Sequence, residues 1–141
     1  MQTALQVVQA PEIAPKIGTA WLGGIYAGVI AGMDGQPDYH LIHAPAENEL
    51  INVNWQQSIT QATLTINGFE DWSLFNRREG RLLAINTPEG FDKDGWYWTS
   101  EQNAGNPDYA WVQYFDVGDQ FTLSKSGTYR ARAVRRVLII Q

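Results

Sequence analysis

A chain of 141 residues with no cysteine can hold no disulfide, thiolate metal site or cysteine nucleophile, and is long enough for one domain burying roughly 68–70% of its unfolded surface. It is 44% hydrophobic, yet no apolar run reaches the roughly 18 residues of a membrane span, so membrane insertion is not expected. The formal charge of −5 comes from fifteen scattered acidic residues, while four of the ten Lys and Arg (Arg130, Arg132, Arg135, Arg136) fall near the end, which argues against a broad nucleic-acid-binding face.

The N-terminal stretch MQTALQVVQAPEIAPKIG lacks a basic segment leading into a long apolar core, so no secretory signal is expected. Pro11 and Pro15 mark residues 1–16 as an arm or edge strand, with the domain proper over 17–141. A first strand is predicted near 24–31. The Asp-Gly turn chemistry of MDGQPD (33–38) then returns the chain in YHLIHA (39–44), completing a hairpin. A helix is predicted to start at Pro45, with Leu50, Val53 and Trp55 toward one side. The next stretch, 60–72, turns at Asn67-Gly68. A second helix follows over 73–87, with Asn76 as cap, Glu79 as capping-box acid, and Leu82, Leu83 and Ile85 inward.

Beyond Pro88 the pattern is strand-rich: WYWTS, YAWVQYF, DQFTLS and YRARAVRRVLII are separated by Gly, Asn, Asp and Ser. Arg130 and Arg132 alternate with Ala131 and Ala133, placing the two pairs on opposite faces. The order of elements predicts an α+β domain, two helices packed on a twisted antiparallel sheet.

The stretches GGIYAGVI, HLIHAPAENEL, GFEDWSLFNRREGRLL and the ending WYWTSEQ…AWVQYFDVGDQFTLSKSGTYRARAVRR together span roughly 20 to 137. They resemble the C-type-lectin-like domains found at the C-terminus of Legionella collagen-like proteins and in many phage-encoded proteins. The resemblance implies a C-type-lectin-like fold with long C-terminal loops, without requiring lectin activity. Phage tropism determinants and formylglycine-generating enzymes are fold relatives. The best-known form of the latter depends on cysteine, which this chain lacks.

Within such a fold Trp96, Trp98 and Trp111 are expected mainly as packing residues, each able to bury on the order of 150–250 Å². The loop 101–109 is the expected recognition element: Gln102, Asn103, Asn106, Asp108 and Tyr109 offer amide donors and acceptors and an amphipathic ring between two strands. Gln113, Asp116 and Gln120, with Asp119 and Thr122, are expected to extend this patch if they face outward. The arginines are expected to pair with local carboxylates or carbonyls.

No catalytic residue is assigned. His40 and His43, three apart on a strand, point to opposite faces and make no metal site, and Glu70 and Asp71 diverge. DKDG (92–95) has oxygen ligands for calcium but not the length of an EF-hand, and no cofactor is expected. The expectation is a non-enzymatic phage virion protein, in a tail, fibre or capsid accessory, contacting other virion proteins or a host-surface glycan or protein. It would be made in the bacterial cytoplasm and assembled as a homo-oligomer, a trimer by analogy with particle fibres. The alternatives are a carbohydrate-active enzyme and a free-standing bacterial lectin-like module.

Overall fold

The computed structural model describes residues 13–140, so the expected arm at 1–16 lies outside the described residues except for its last four positions. The opening hairpin forms as the sequence predicts. Gly24–Ile30 (β2) and Tyr39–His43 (β3) pair antiparallel with Ile30 opposite Tyr39, and the register slips between Tyr26 and Gly28. A two-residue strand, Ala20–Trp21 (β1), lines the outer side of β2.

The helix expected from Pro45 does not form there. Pro45 precedes a single 3-10 turn, Ala46–Asn48, and Leu50–Val53 is a strand (β4). The helix starts only at Trp55 (α1, Trp55–Gln61), because Asn54 is the residue that caps it. Asn54 Oδ1 accepts the Gln57 N–H at 2.9 Å, and Gln57 Oε1 accepts the Asn54 N–H at 2.9 Å. That reciprocal box satisfies two helix-end donors, which a proline cannot do. The β-branched Ile51 and Val53 upstream suit the strand instead.

Ile66 and Phe69 bridge across Asn67-Gly68, whose φ angles of +52° and +83° form the positive pair that a tight two-residue turn demands. After Ser73–Leu74 (β5) comes the second helix, Arg77–Asn86 (α2), with the predicted cap: Asn76 Oδ1 accepts from Glu79 N and Glu79 Oε1 from Asn76 N, both at 2.9 Å. Leu83 is fully buried and Leu82 half-buried, but Ile85 is 76% exposed, against the expectation that it points inward. At about 100° per residue Ile85 lies some 200° from Leu83, on the face away from buried Glu79, Gly80 and Leu83. Gly80 is tightly packed: a Cβ there would stand 3.0 Å from Gln113 Oε1 and from the Phe75 ring.

Five more strands complete the chain: Trp96–Gln102 (β6), Tyr109–Tyr114 (β7), Gln120–Ser124 (β8), Tyr129–Ala131 (β9) and Ala133–Leu138 (β10). The architecture is α+β, with the strands in two sheets, ordered β1-β2-β3-β10-β5 and β4-β9-β6-β7-β8. Most pairings are antiparallel; β6 and β9 pair parallel, Tyr97 beside Arg130. The chain passes between sheets at Arg132. The connections between the C-terminal strands are short turns, and the long irregular connection is 62–72.

Two apolar clusters hold these layers. One joins Tyr26, Ile42, Trp72, Trp98, Val112 and Val137, with Trp55 and Ile59 of α1 packed against it. The other joins Leu41, Phe75, Phe91, Tyr97 and Phe115 to Leu83 of α2. Ala131 and Ala133 face the first cluster, and Arg130 and Arg132 meet Glu49 on the other side, as the alternation predicts. Among the described residues no helix is long and apolar enough to cross a membrane.

Candidate recognition surface

The β6–β7 hairpin carries the predicted loop. Its strands pair regularly from Trp96 opposite Tyr114 to Trp98 opposite Val112, then slip so that Gln102 meets Ala110. The extra residues bulge, and the bulge is anchored: Ser100 N–H donates to Phe75 O at 2.8 Å, and Thr99 Oγ1–H to Trp111 O at 2.9 Å. Bulges redirect side chains. Here the Glu101 carboxylate is turned to accept the Arg77 N–H at 2.9 Å, at the N-terminus of α2, where the helix dipole favours an anion.

The loop beyond is held by its own asparagines. Asn103 Oδ1 accepts from Gly105 N–H at 2.8 Å, Asn106 Oδ1 accepts from Asp108 N–H at 3.1 Å, and Asn103 N–H reaches Tyr109 O at 2.9 Å. These are Asx turns, in which a short amide side chain satisfies the backbone two residues on. Lys125 closes the other side: its N–H donates to Asp108 O at 2.9 Å, its ammonium to Gln102 Oε1, and it lies 4.4 Å from the Trp55 ring centroid. Both asparagine carbonyls and the Gln102 carbonyl are therefore occupied. The amide N–H₂ groups, the Asp108 carboxylate and the Tyr109 ring, 38% exposed, remain for a partner.

The predicted extension of the patch does not hold together. Tyr109 and Gln113 are four residues apart on one strand, roughly 13 Å, and Gln113, Asp116 and Gln120 lie at the far end of the β7–β8 pair. Gln113 has no exposed surface: its Nε2 donates to Tyr114 O at 2.9 Å and its Oε1 accepts from Gln120 Nε2 at 2.6 Å. Gln120 in turn donates to Arg77 O at 2.7 Å and accepts from Arg77 Nε at 3.0 Å. These two glutamines knit β7 and β8 to the start of α2. Asp116 is exposed in the β7–β8 turn, away from the loop. Gln113 sits inward because its strand parity places it beneath α2, on the same face as Trp111.

The tryptophans divide by role. Trp98 is fully buried and its Nε1–H donates to Val53 O at 2.9 Å; Trp111 is half-buried under the Arg77 guanidinium, 3.5 Å from its ring centroid. Trp96 is 38% exposed, edge-on to Phe121 and Tyr129 at 5.9 and 5.3 Å. With Ile51, Asn52, Asp94 and Thr128 it lines a shallow hollow of about 400 Å³. Sequence reasoning did not single out this hollow, because β4, which supplies Ile51 and Asn52, reads as helix.

Every arginine of the C-terminal cluster has a carboxylate. Arg130 reaches Glu49 at 2.6 Å and Asp92 at 2.9 Å; Arg132, 1% exposed, reaches the same Glu49; Arg135 pairs with Asp71 and Arg136 with Glu79. Tyr97 OH donates to Glu49 at 2.7 Å, and burial chiefly, with that carboxylate, pushes its pKa up. Burial and Glu79 likewise raise Tyr39 to about 12. His40 meets Tyr26 OH at 2.7 Å, whereas His43 lies on the other face of β3 against Phe91, and burial holds its pKa down at about 4. Asp92, the first acid of the DKDG stretch, is engaged by Arg130. Among the described residues, no three or more His, Asp or Glu converge as a metal cage.

The profile of the Lcl C-terminal domain family matches residues 36–135, which is 100 of the 141 positions and takes in both helices and all of β3–β9. A comparison with individual curated proteins gives no match. The α+β architecture with its two antiparallel-rich sheets agrees with a C-type-lectin-like fold, and the family is one of lectin-like binding modules. The chain belongs to the Lcl C-terminal domain family.

Proposed function

We propose that the chain is a non-enzymatic recognition module that binds through the 102–109 loop, carried on a phage particle as part of a tail, fibre or capsid accessory. Its partner in this reading is a host-surface glycan or protein, or another virion protein. The observation that carries the loop assignment is its combination of restraint and exposure: residues 104–109 are exposed, yet Asx turns, Lys125 and Glu101 fix the backbone. Pre-organisation of this kind removes the ordering entropy that otherwise opposes binding. The phage setting is supported by the sequence resemblance alone.

No catalytic step belongs to this reading. The carboxylates Glu49, Asp71 and Glu79, which could otherwise act on a substrate, are each held by arginine. A second reading concerns the place of contact: the exposed Trp96 ring beside Asn52, Asp94 and Thr128 is suited to a sugar ring, whose apolar face stacks while its hydroxyls meet the polar rim.

The test is binding of labelled protein to a glycan array and to immobilised bacterial envelope, with wild type, Tyr109→Ala and Trp96→Ala in parallel. Loss with Tyr109→Ala alone supports the loop. Loss with Trp96→Ala alone moves the site to the hollow, and turnover of an array glycan would contradict the non-enzymatic reading.

A further inference from the structure

Ile85 on α2 and Val117 in the β7–β8 turn are 76% and 68% exposed, and they flank one hollow of about 390 Å³. Ala84 and Pro88 line it from the helix side, and Phe115, stacked on Phe91 at 4.1 Å, gives it a rigid base. An aliphatic side chain left this open in water gains by burial, by about 25 cal/mol for each Å² removed from solvent. Two such side chains around one concavity form a docking feature.

The rim identifies what docks. Arg81, one helical turn before Ile85, borders the hollow on the helix side, and Asp116, next to Val117, borders it on the hairpin side. Both are exposed, and among the described residues neither takes part in an ion pair, unlike the arginines of β9 and β10. One face thus carries an apolar centre with opposite charges on its two sides. A two-fold axis through that centre exchanges the sides, bringing each Arg81 over the Asp116 of the other copy and each Ile85 toward the opposing hollow. Such self-complementarity is what an isologous contact requires. We infer that this face binds a second copy of the same chain, giving a two-fold dimer in place of the trimer suggested by particle fibres. The contact lies at the end of the β7–β8 pair remote from 102–109, so both recognition loops stay open in the dimer and binding becomes bivalent.

The experiment is sedimentation of the full chain from micromolar to near-millimolar concentration, for wild type, Ile85→Glu, Arg81→Glu, Asp116→Arg and the double charge exchange. Wild type is expected to associate to a dimer. Ile85→Glu should abolish association, while at dilute concentration, where wild type is also monomeric, the two melting temperatures should match, since the side chain is already in water. Each single charge reversal should weaken the dimer by roughly tenfold or more, and the double exchange should restore it, because only reciprocal pairing recovers when both signs are switched. Wild type that stays monomeric throughout, or forms a trimer, overturns the inference. So does a dimer indifferent to Ile85→Glu, or single reversals that the double exchange does not rescue.

Discussion

Arg136 grips the Glu79 carboxylate through two parallel bonds, Nε to Oε2 at 2.6 Å and Nη2 to Oε1 at 2.8 Å. Glu79 has no exposed surface, and besides Arg136 it accepts from Tyr39 OH at 2.6 Å and from Asn76 N–H. One side chain therefore caps α2 and fastens it to β3 and β10. Replacing Glu79 by Ala removes its half of the capping box, the bond from Asn76 N–H, and leaves Tyr39 without its acceptor and Arg136 without its carboxylate. The expected loss is about 3–5 kcal/mol, read from urea unfolding, with Glu79→Gln losing less because its amide oxygen can still accept one bond.

Acid should loosen the fold before the carboxylates are all protonated. His43 is 2% exposed; burial chiefly, and the nearby Arg132 charge, hold its pKa down from 6.5 to about 4, although its bond to Ala44 O opposes this. A folded pKa below the unfolded value means that neutral His43 stabilises. That contribution is complete above about pH 6.5 and is lost as the pH falls through 4, and in full it amounts to about 3 kcal/mol. Urea midpoints at pH 7 and pH 5 should differ for wild type. In His43→Gln, which cannot protonate, the difference should shrink markedly, and an unchanged difference would exclude His43 as its source.

Gly80→Ala should reverse the usual helix rule. An alanine inside a helix normally gains about 1 kcal/mol over glycine. At this site the new methyl meets Gln113 Oε1 and the Phe75 ring at 3.0 Å, both in buried residues that cannot retreat into solvent. The expected outcome is destabilisation by about 1–3 kcal/mol, as for other overpacked cores. A higher midpoint for Gly80→Ala would show that α2 has room to shift.

Much of the fold was legible because its signals are local. The Asp-Gly turn, the Asn76 and Glu79 pair and the Arg-Ala alternation each act within a few residues. The failures come from tertiary context. Pro45 looks like a helix start, yet β4 forms because β9, some eighty residues later, offers it a partner, with Leu50 opposite Ala131. Ile85 reads as core by composition but lies on the wrong side of its helix. For the candidate site, the loop was visible as a polar Gly- and Pro-bearing segment between strands. The parity of β7 was not, since Trp111, Gln113 and Phe115 alternate with Val112 and Tyr114 without a clear apolar face. The Trp96 hollow needed three strands distant in sequence to appear.

Restraint of the loop is testable apart from its ligand. Glu101 ties β6 to the N-terminus of α2 through the Arg77 N–H. Glu101→Ala should speed amide exchange at Asn103 and Tyr109, whose N–H groups close the loop, while lowering global stability by only about 1 kcal/mol. Exchange rates at those two amides matching wild type would show that the Asx turns alone set the loop.

The claim that residues 102–109 form the recognition surface is tested most directly by mapping backbone amide shifts while a glycan or envelope component captured by the wild-type protein is titrated in. Perturbations are expected to cluster at Gln102, Asn103, Asn106, Asp108, Tyr109 and Lys125, and to disappear in Tyr109→Ala. Perturbations confined to Trp96, Asn52 and Thr128, with the loop silent, would contradict it.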